Sequence, residues 1–158
     1  ASLTDPGFAD FIKEQFELHG IPPSAIAFEI TETRVITHLD KAVKLINALR
    51  EQGCSFLLDD FGSGMSSFGY LRNLPVDYLK IDGQFVKDIL SDPIDHSMVK
   101  MINEIGHFMG LKTIAEYVEN TAILQEIDAI GIDYAQGYGI AMPQPMEQIP
   151  VIADTQTA

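Results

Sequence analysis

Short apolar runs rich in β-branched and aromatic residues alternate along this chain with longer segments whose apolar residues recur at helical spacing. That alternation restricts the fold more than any other feature. Ala25 to Thr31, Phe56 to Leu58, Tyr78 to Asp82, Lys112 to Val118 and Tyr134 to Gln136 read as strands. A first helix, capped by Thr4 or Asp5 with Pro6 in its first turn, carries Phe8, Phe11, Ile12 and Phe16 and stops at Gly20. A second starts at Asp40 and carries Val43, Ile46 and Leu49. Ile94 to Met109 predicts a third, with Met98, Met101, Ile102, Ile105 and Phe108 as its core-facing stripe, and Asn120 caps a fourth with Ile123, Leu124 and Ile127 inward. Strands alternating with helices in this way predict a parallel sheet built from about five βα units.

The predicted strands end in polar residues: Glu29, the pair Asp59 and Asp60, Lys80, Glu116 and Gln136. In parallel α/β folds the carboxyl ends of the strands are where ligands bind. A (β/α)₈ barrel would gather these residues at one mouth, whereas a doubly wound sheet would spread them along an edge. Two adjacent aspartates can serve as a loop cap and a solvated acid, and a lysine beside acids can be a structural ion pair. Gathered at one mouth, however, Glu29, Asp59, Asp60 and Glu116 repel one another unless a cation lies between them. An all-oxygen donor set favours Mg²⁺ or Mn²⁺, or inhibitory Ca²⁺, over zinc. Two such ions about 3.5–4 Å apart suit phosphoryl displacement, with Asp59 and Asp60 serving both and Lys80 holding a water or steadying phosphate charge.

Composition narrows the partner. Ten basic residues against twenty-three acidic ones give a net charge of −13, which repels polyanions and excludes a nucleic-acid polymer as partner. A small anionic substrate remains compatible if metal ions carry the opposing charge. His19, His38, His96 and His107 lack zinc-ligand spacing and read as solvated or packing residues. Cys54 is the single cysteine, suited to a buried strand position and a reducing cytosol. No apolar run is long enough to cross a bilayer.

Five motifs then occur in order: Phe28-Glu-Ile-Thr-Glu32, Asp59-Asp-Phe-Gly62 with its serine-rich loop, Leu79-Lys-Ile-Asp82, Ala115-Glu-Tyr-Val-Glu119 and Gln136-Gly137. Together they closely resemble the EAL-domain family of cyclic di-GMP phosphodiesterases, over nearly the whole chain. The resemblance implies a (β/α)₈ TIM-barrel-like fold, present as an incomplete barrel, that hydrolyses cyclic di-GMP to linear pGpG with Mg²⁺ or Mn²⁺. It implies Glu29, Asp59, Asp60 and Glu116 as metal ligands, with Asp59 bridging, and Lys80 and Glu116 as the catalytic groups around the attacking water. By the same resemblance Glu119 and Gln136 support the site and substrate, and Glu32 anchors the loop Phe61 to Ser67. The family's Glu-Ala-Leu segment and an upstream asparagine ligand have no counterpart in these residues, and Met65 and Met142 stand where relatives often carry tyrosine and arginine.

The expectation is therefore a partial EAL domain over 1–148 and a C-terminal tail over 149–158, with the chain from Pro143 onward proline- and glutamine-rich and expected to fray. Its parent protein would be a bacterial, cytoplasmic phosphodiesterase, the chain alone being weakly active or inactive. A homodimer and an upstream sensory or GGDEF domain are implied as partners. The alternative is a non-catalytic cyclic di-GMP-binding or dimerisation module, distinguished by whether the acids are kept. Here they are.

Overall fold

The computed structural model describes residues 5, 7–62 and 69–148. Five strands form one sheet: β1 (Ala27–Thr31), β2 (Ser55–Phe61), β3 (Tyr78–Ile81), β4 (Lys112–Ala115) and β5 (Tyr134–Ala135). All neighbouring pairs are parallel, and the spatial order is the chain order. A doubly wound sheet would reverse its order at a switch point, so this winding is that of a barrel arc. The helices are α1 (Phe8–His19), α2 (Glu32–Thr37), α3 (Leu39–Arg50), α4 (Gly83–Val86), α5 (Pro93–Phe108) and α6 (Thr121–Ile130). None of the described helices is long and apolar enough to cross a membrane.

Register sorts the strand residues onto two faces, because side chains alternate along a strand. Phe28 pairs with Phe56, Ile30 with Leu58, Leu58 with Leu79, and Ile81 with Ala115, which places all of them on the outer face. There they form the core with Ile46 and Leu49 of α3, Val99 and Ile102 of α5, and Ile123 and Ile127 of α6. The inner face carries Glu29, Leu57, Asp59, Tyr78, Lys80, Ile114 and Tyr134. Its lower half is an apolar opening of ≈ 540 Å³ lined in part by Leu57, Tyr78, Ile114 and Tyr134. Its upper half carries the charges.

Several elements differ from the sequence reading. The helix α2 was not anticipated, because four of the six residues in Glu-Thr-Arg-Val-Ile-Thr are β-branched. It forms by burying Val35 fully and Glu32 to 1% exposure. The stripe expected on α5 is a correction: Phe108 is 94% exposed, and the buried residues are Val99, Ile102, Asn103 and Gly106. Asn103 hides that face from a hydropathy pattern, since its amide is satisfied by Thr113 Oγ1 and the Ile130 carbonyl. Leu124, expected inward, is partly exposed for a similar reason of phase, the buried positions of α6 being Ile123 and Ile127.

The element ends also shift. Pro23–Ala25 forms a 3-10 turn, which delays β1 to Ala27. The strand β4 stops at Ala115, leaving Glu116 just past its end. The first helix begins at Phe8, where the Gly7 N–H donates to Asp5 Oδ1 at 2.9 Å, and Thr4 and Pro6 lie outside the described residues. The expected tail at 149–158 lies outside them too, after a 3-10 turn at Met146–Gln148.

Asp133, just before β5, ties the lower ends of β4 and β5 to α5. Its carboxylate accepts from Lys112 Nζ at 2.6 Å and the Thr113 N–H at 2.9 Å, and meets His107 Nε2 at 2.7 Å. Burial alone would raise its pKa, but the bonds from Lys112, Thr113 and His107 prevail and hold the carboxyl well below the usual carboxylate range. A depressed folded pKa contributes stability that is complete above the unfolded value of about 3.9 and is lost as pH falls toward the folded value. Acid unfolding followed by circular dichroism is therefore expected to show stability declining below about pH 4 in the native chain and a flatter decline in Asp133→Asn.

Candidate active site

Lys80 lies on the inner face of β3 and is only 3% exposed. Its ammonium sits 2.6 Å from Glu116 Oε1, 3.1 Å from Asp59 Oδ1 and 3.2 Å from Glu29 Oε1. One cation thus gathers carboxylates from β1, β2 and the end of β4. Burial by itself would lower the Lys80 pKa, but the hydrogen bond to Glu116 and the negative charges of Glu116 and Asp59 raise it, so the ammonium stays protonated.

Asp59 and Asp60 reach the same place by breaking the strand's alternation. Leu58 pairs with Leu79 but Phe61 pairs with Ile81, so β2 has one more residue than β3 over that interval. The extra residue is a β-bulge, and Asp60 sits at φ +56, in the left-handed region. Without it, adjacent aspartates would point to opposite faces. With it, oxygens of Asp59, Asp60 and Glu116 lie within 4.8 Å of one another. Glu29 stays outside this cluster, its side chain 51% exposed, and touches it through Lys80.

The cluster carries more negative charge than Lys80 can offset. Burial raises the Glu116 pKa, the Lys80 contact opposes that, and Asp59 and Asp60 add to the rise. Burial and the Asp59 and Asp82 charges raise the Asp60 pKa. Asp59 Oδ1 is fully buried and, despite its proximity to Lys80, receives no well-directed hydrogen bond. A buried carboxylate oxygen short of donors, in a crowded all-oxygen set, fits a hard divalent cation.

Two further groups frame the cluster. Glu32 accepts from the Gly62 N–H at 3.2 Å and from the Tyr70 hydroxyl, so one buried carboxylate ties the end of β2 to Tyr70. The remainder of the loop Phe61 to Ser67 lies outside the described residues. On the other side, Glu119 and Gln136 line a cleft of ≈ 280 Å³ with Glu116, Tyr117, Gly137 and Tyr138. Gln136 is held there by reciprocal backbone bonds to Ala115 and Val118, at 2.8 and 3.1 Å. Gly137 is required by close approach, since a Cβ there would overlap the Val118 backbone.

The strand-end reading thus places Asp59, Asp60, Lys80 and Glu116 together, Glu29 at their margin, Glu119 and Gln136 in the adjoining cleft, and Glu32 behind the loop. It overlooked Tyr70, whose ring reads as packing and whose hydroxyl gives no pattern. It also treated Tyr117 only as part of a motif, because its backbone conformation has no sequence signature. His96 and His107 pair with Glu126 and Asp133 away from this site.

Comparison with known proteins gives a consistent result. The profile of the EAL domain matches residues 1–143. Cyclic di-GMP phosphodiesterase PdeB of Shewanella oneidensis is 47% identical over 145 residues, covering 92% of this chain and 17% of that protein. Cyclic di-GMP phosphodiesterase PdeA of Borreliella burgdorferi is 39% identical over 145 residues, covering 92% of this chain and 22% of that protein. Among solved structures, the PaMucR phosphodiesterase in complex with c-di-GMP superposes with a TM-score of 0.89 at 31% identity, covering 94% of this chain and 60% of that one. The FimX EAL domain of Pseudomonas aeruginosa bound to c-di-GMP gives a TM-score of 0.85 at 29% identity, covering 90% and 59%. The chain spans about a fifth of the length of these sequence relatives.

The Glu32 grip generates a specific expectation. Tyr70→Phe removes one donor from a buried carboxylate and should cost about 1–3 kcal/mol in urea unfolding. Hydrogen exchange should show the Gly62 amide losing protection in the same variant.

Proposed function

The chain belongs to the EAL-domain family, and on that premise we propose that it carries the acid-rich part of a metal-dependent site that hydrolyses cyclic di-GMP to linear pGpG. The observation that carries this reading is the convergence of Asp59, Asp60 and Glu116 oxygens within 4.8 Å, beside a buried ammonium. Asp59, Asp60 and Glu116 would hold Mg²⁺ or Mn²⁺, with Glu29 joining from the margin. Bound divalent ions supply charge neutralisation at the phosphate and activation of water.

The chain's own groups account for the remaining requirements. Lys80, its ammonium favoured by the carboxylates around it, is placed to orient a water against the phosphodiester and to steady the negative charge that develops there. The carboxylate of Glu116, 2.6 Å from that ammonium, is positioned to accept a proton from the same water. Gln136 and Glu119 provide polar contacts in the adjoining cleft, and Glu32 keeps the bulged strand end in place through Gly62. The nucleotide's two phosphates are repelled by a chain of net charge −13, so the ions also provide the attraction that admits it.

Relatives support the substrate, being named cyclic di-GMP phosphodiesterases, and so do solved EAL domains holding c-di-GMP. A cytoplasmic setting, a homodimer and an upstream sensory or cyclase domain form part of the same proposal; one relative, MucR of Pseudomonas aeruginosa, is named a bifunctional diguanylate cyclase and phosphodiesterase. Retention of all four acids and Lys80 favours hydrolysis over passive binding.

Turnover of cyclic di-GMP with Mn²⁺, followed by chromatography of pGpG, tests the reading. Slow turnover is expected from this chain, falling by about 10²-fold or more in Asp59→Ala, as loss of a ligand weakens the metal site. Nucleotide binding without turnover in a folded chain would instead support a binding module. Turnover indifferent to Asp59→Ala would sink the metal assignment.

A further inference from the structure

We propose that Tyr117 and Gly83 form a steric latch that sets the Glu116 carboxylate against Lys80, which makes both of them positioning residues of the acid cluster. The inference rests on the reading that Glu116 serves a metal site, and deepens it by assigning what holds that carboxylate in place.

The need for a latch follows from where the sheet stops. The β3–β4 ladder ends at the pair Ile81 and Ala115, so Glu116 stands one residue beyond the last register pair. Toward β5 the exit of β4 is still bonded, since Gln136 donates to Ala115 at 2.8 Å and accepts from Val118 at 3.1 Å. Toward β3 no ladder pair remains, yet the Glu116 carboxylate meets Lys80 at 2.6 Å.

Tyr117 supplies the hold on that side. It takes φ +54, a left-handed conformation that is an outlier for a bulky side chain and persists where the surroundings impose it. Its ring lies on Gly83, which opens α4 three residues after Lys80. A Cβ on Gly83 would overlap Tyr117 Cδ2 and lie 2.7 Å from Cγ and 3.0 Å from Cβ. Gly83 is not among the glycines with positive φ, so its backbone does not call for glycine. The space under the ring does. Because the Tyr117 Cβ is itself in contact, turning the ring about χ1 would not clear a side chain at position 83. The main chain of Tyr117 would have to retreat, and Glu116 is joined directly to it. Tyr117 remains 59% exposed, so the ring adds little to the core. Its close fit serves the junction between the strand exits that carry Lys80 and Glu116.

A double-mutant cycle on the whole chain tests the latch. Mn²⁺ affinity is read by titration, the Lys80 ammonium by heteronuclear NMR without metal, and folding by the thermal midpoint. Gly83→Ala displaces the ring and Glu116, and is expected to weaken Mn²⁺ about tenfold and to shift the ammonium signal. In the Tyr117→Gly background, with no ring to displace, the same substitution is expected to change neither. Tyr117→Gly alone removes the latch without a clash and adopts positive φ freely, so weaker Mn²⁺ binding is expected there too. Tyr117→Phe keeps the ring and should keep the native Mn²⁺ affinity and ammonium signal. Native Mn²⁺ affinity in Tyr117→Gly would overturn the latch, even if Gly83→Ala fails to fold. So would a loss in Gly83→Ala that persists in the Tyr117→Gly background. A lower midpoint with Mn²⁺ affinity and the ammonium signal unchanged would also overturn it, being the mark of packing alone. If the native chain binds no Mn²⁺, the metal reading fails and the ammonium signal decides: unmoved in Gly83→Ala, it overturns the latch.

Discussion

A single buried ammonium holds the working end of this sheet together. Lys80 on β3 reaches the carboxylates of Glu29, Asp59 and Glu116, and so ties four consecutive βα units at one point. Burying a charge is costly unless it is paired, and here the pairing is threefold. The opposite cost falls on the acids, which remain crowded around too little positive charge. Such a cluster contributes little to folding on its own. Its stability must come from the apolar layer behind it, where Phe56, Leu58, Leu79 and Ile81 are buried against α3, α5 and α6.

That division of labour explains which parts were legible in the sequence. The parallel sheet and the strand-end placement of Asp59, Lys80 and Glu116 follow from period-two alternation and strand-ending polar residues, both local properties. Those patterns left the strand order open between a barrel and a doubly wound sheet, and only the family resemblance implied the barrel. The meeting of Asp59 with Asp60 does not follow from local patterns either. It depends on a bulge, and a bulge is a mismatch between two strands that neither strand reveals alone. The helix α2 escaped for a related reason: its β-branched composition argues against a helix, and only the burial of Val35 and the Glu32 contacts with Gly62 and Tyr70 outweigh it. On α5 the hydropathy stripe misled because the helix turns Asn103 toward β4, where Thr113 satisfies it.

Departures from local preference are not scattered through the molecule. The two non-glycine residues with positive φ among those described are Asp60 and Tyr117, and both lie at the acid cluster. Strain of this kind is tolerated where surrounding structure over-determines the backbone. Here the over-determination comes from the β2–β3 register on one side and from the packing of Tyr117 on Gly83 on the other. The consistent parts of the sequence build the scaffold, and the inconsistent parts mark what the scaffold presents.

The Asp133 network lies at the opposite ends of β4 and β5 from Glu116, roughly 10 Å away along the strand by the rise per residue. Substitutions more than about 7–10 Å apart without shared partners tend to act additively. Robustness and reactivity are thus governed from separate poles of the same two strands. A lineage carrying this sheet can tune how long the folded chain survives heat or acid at one pole while leaving the chemistry of the other untouched.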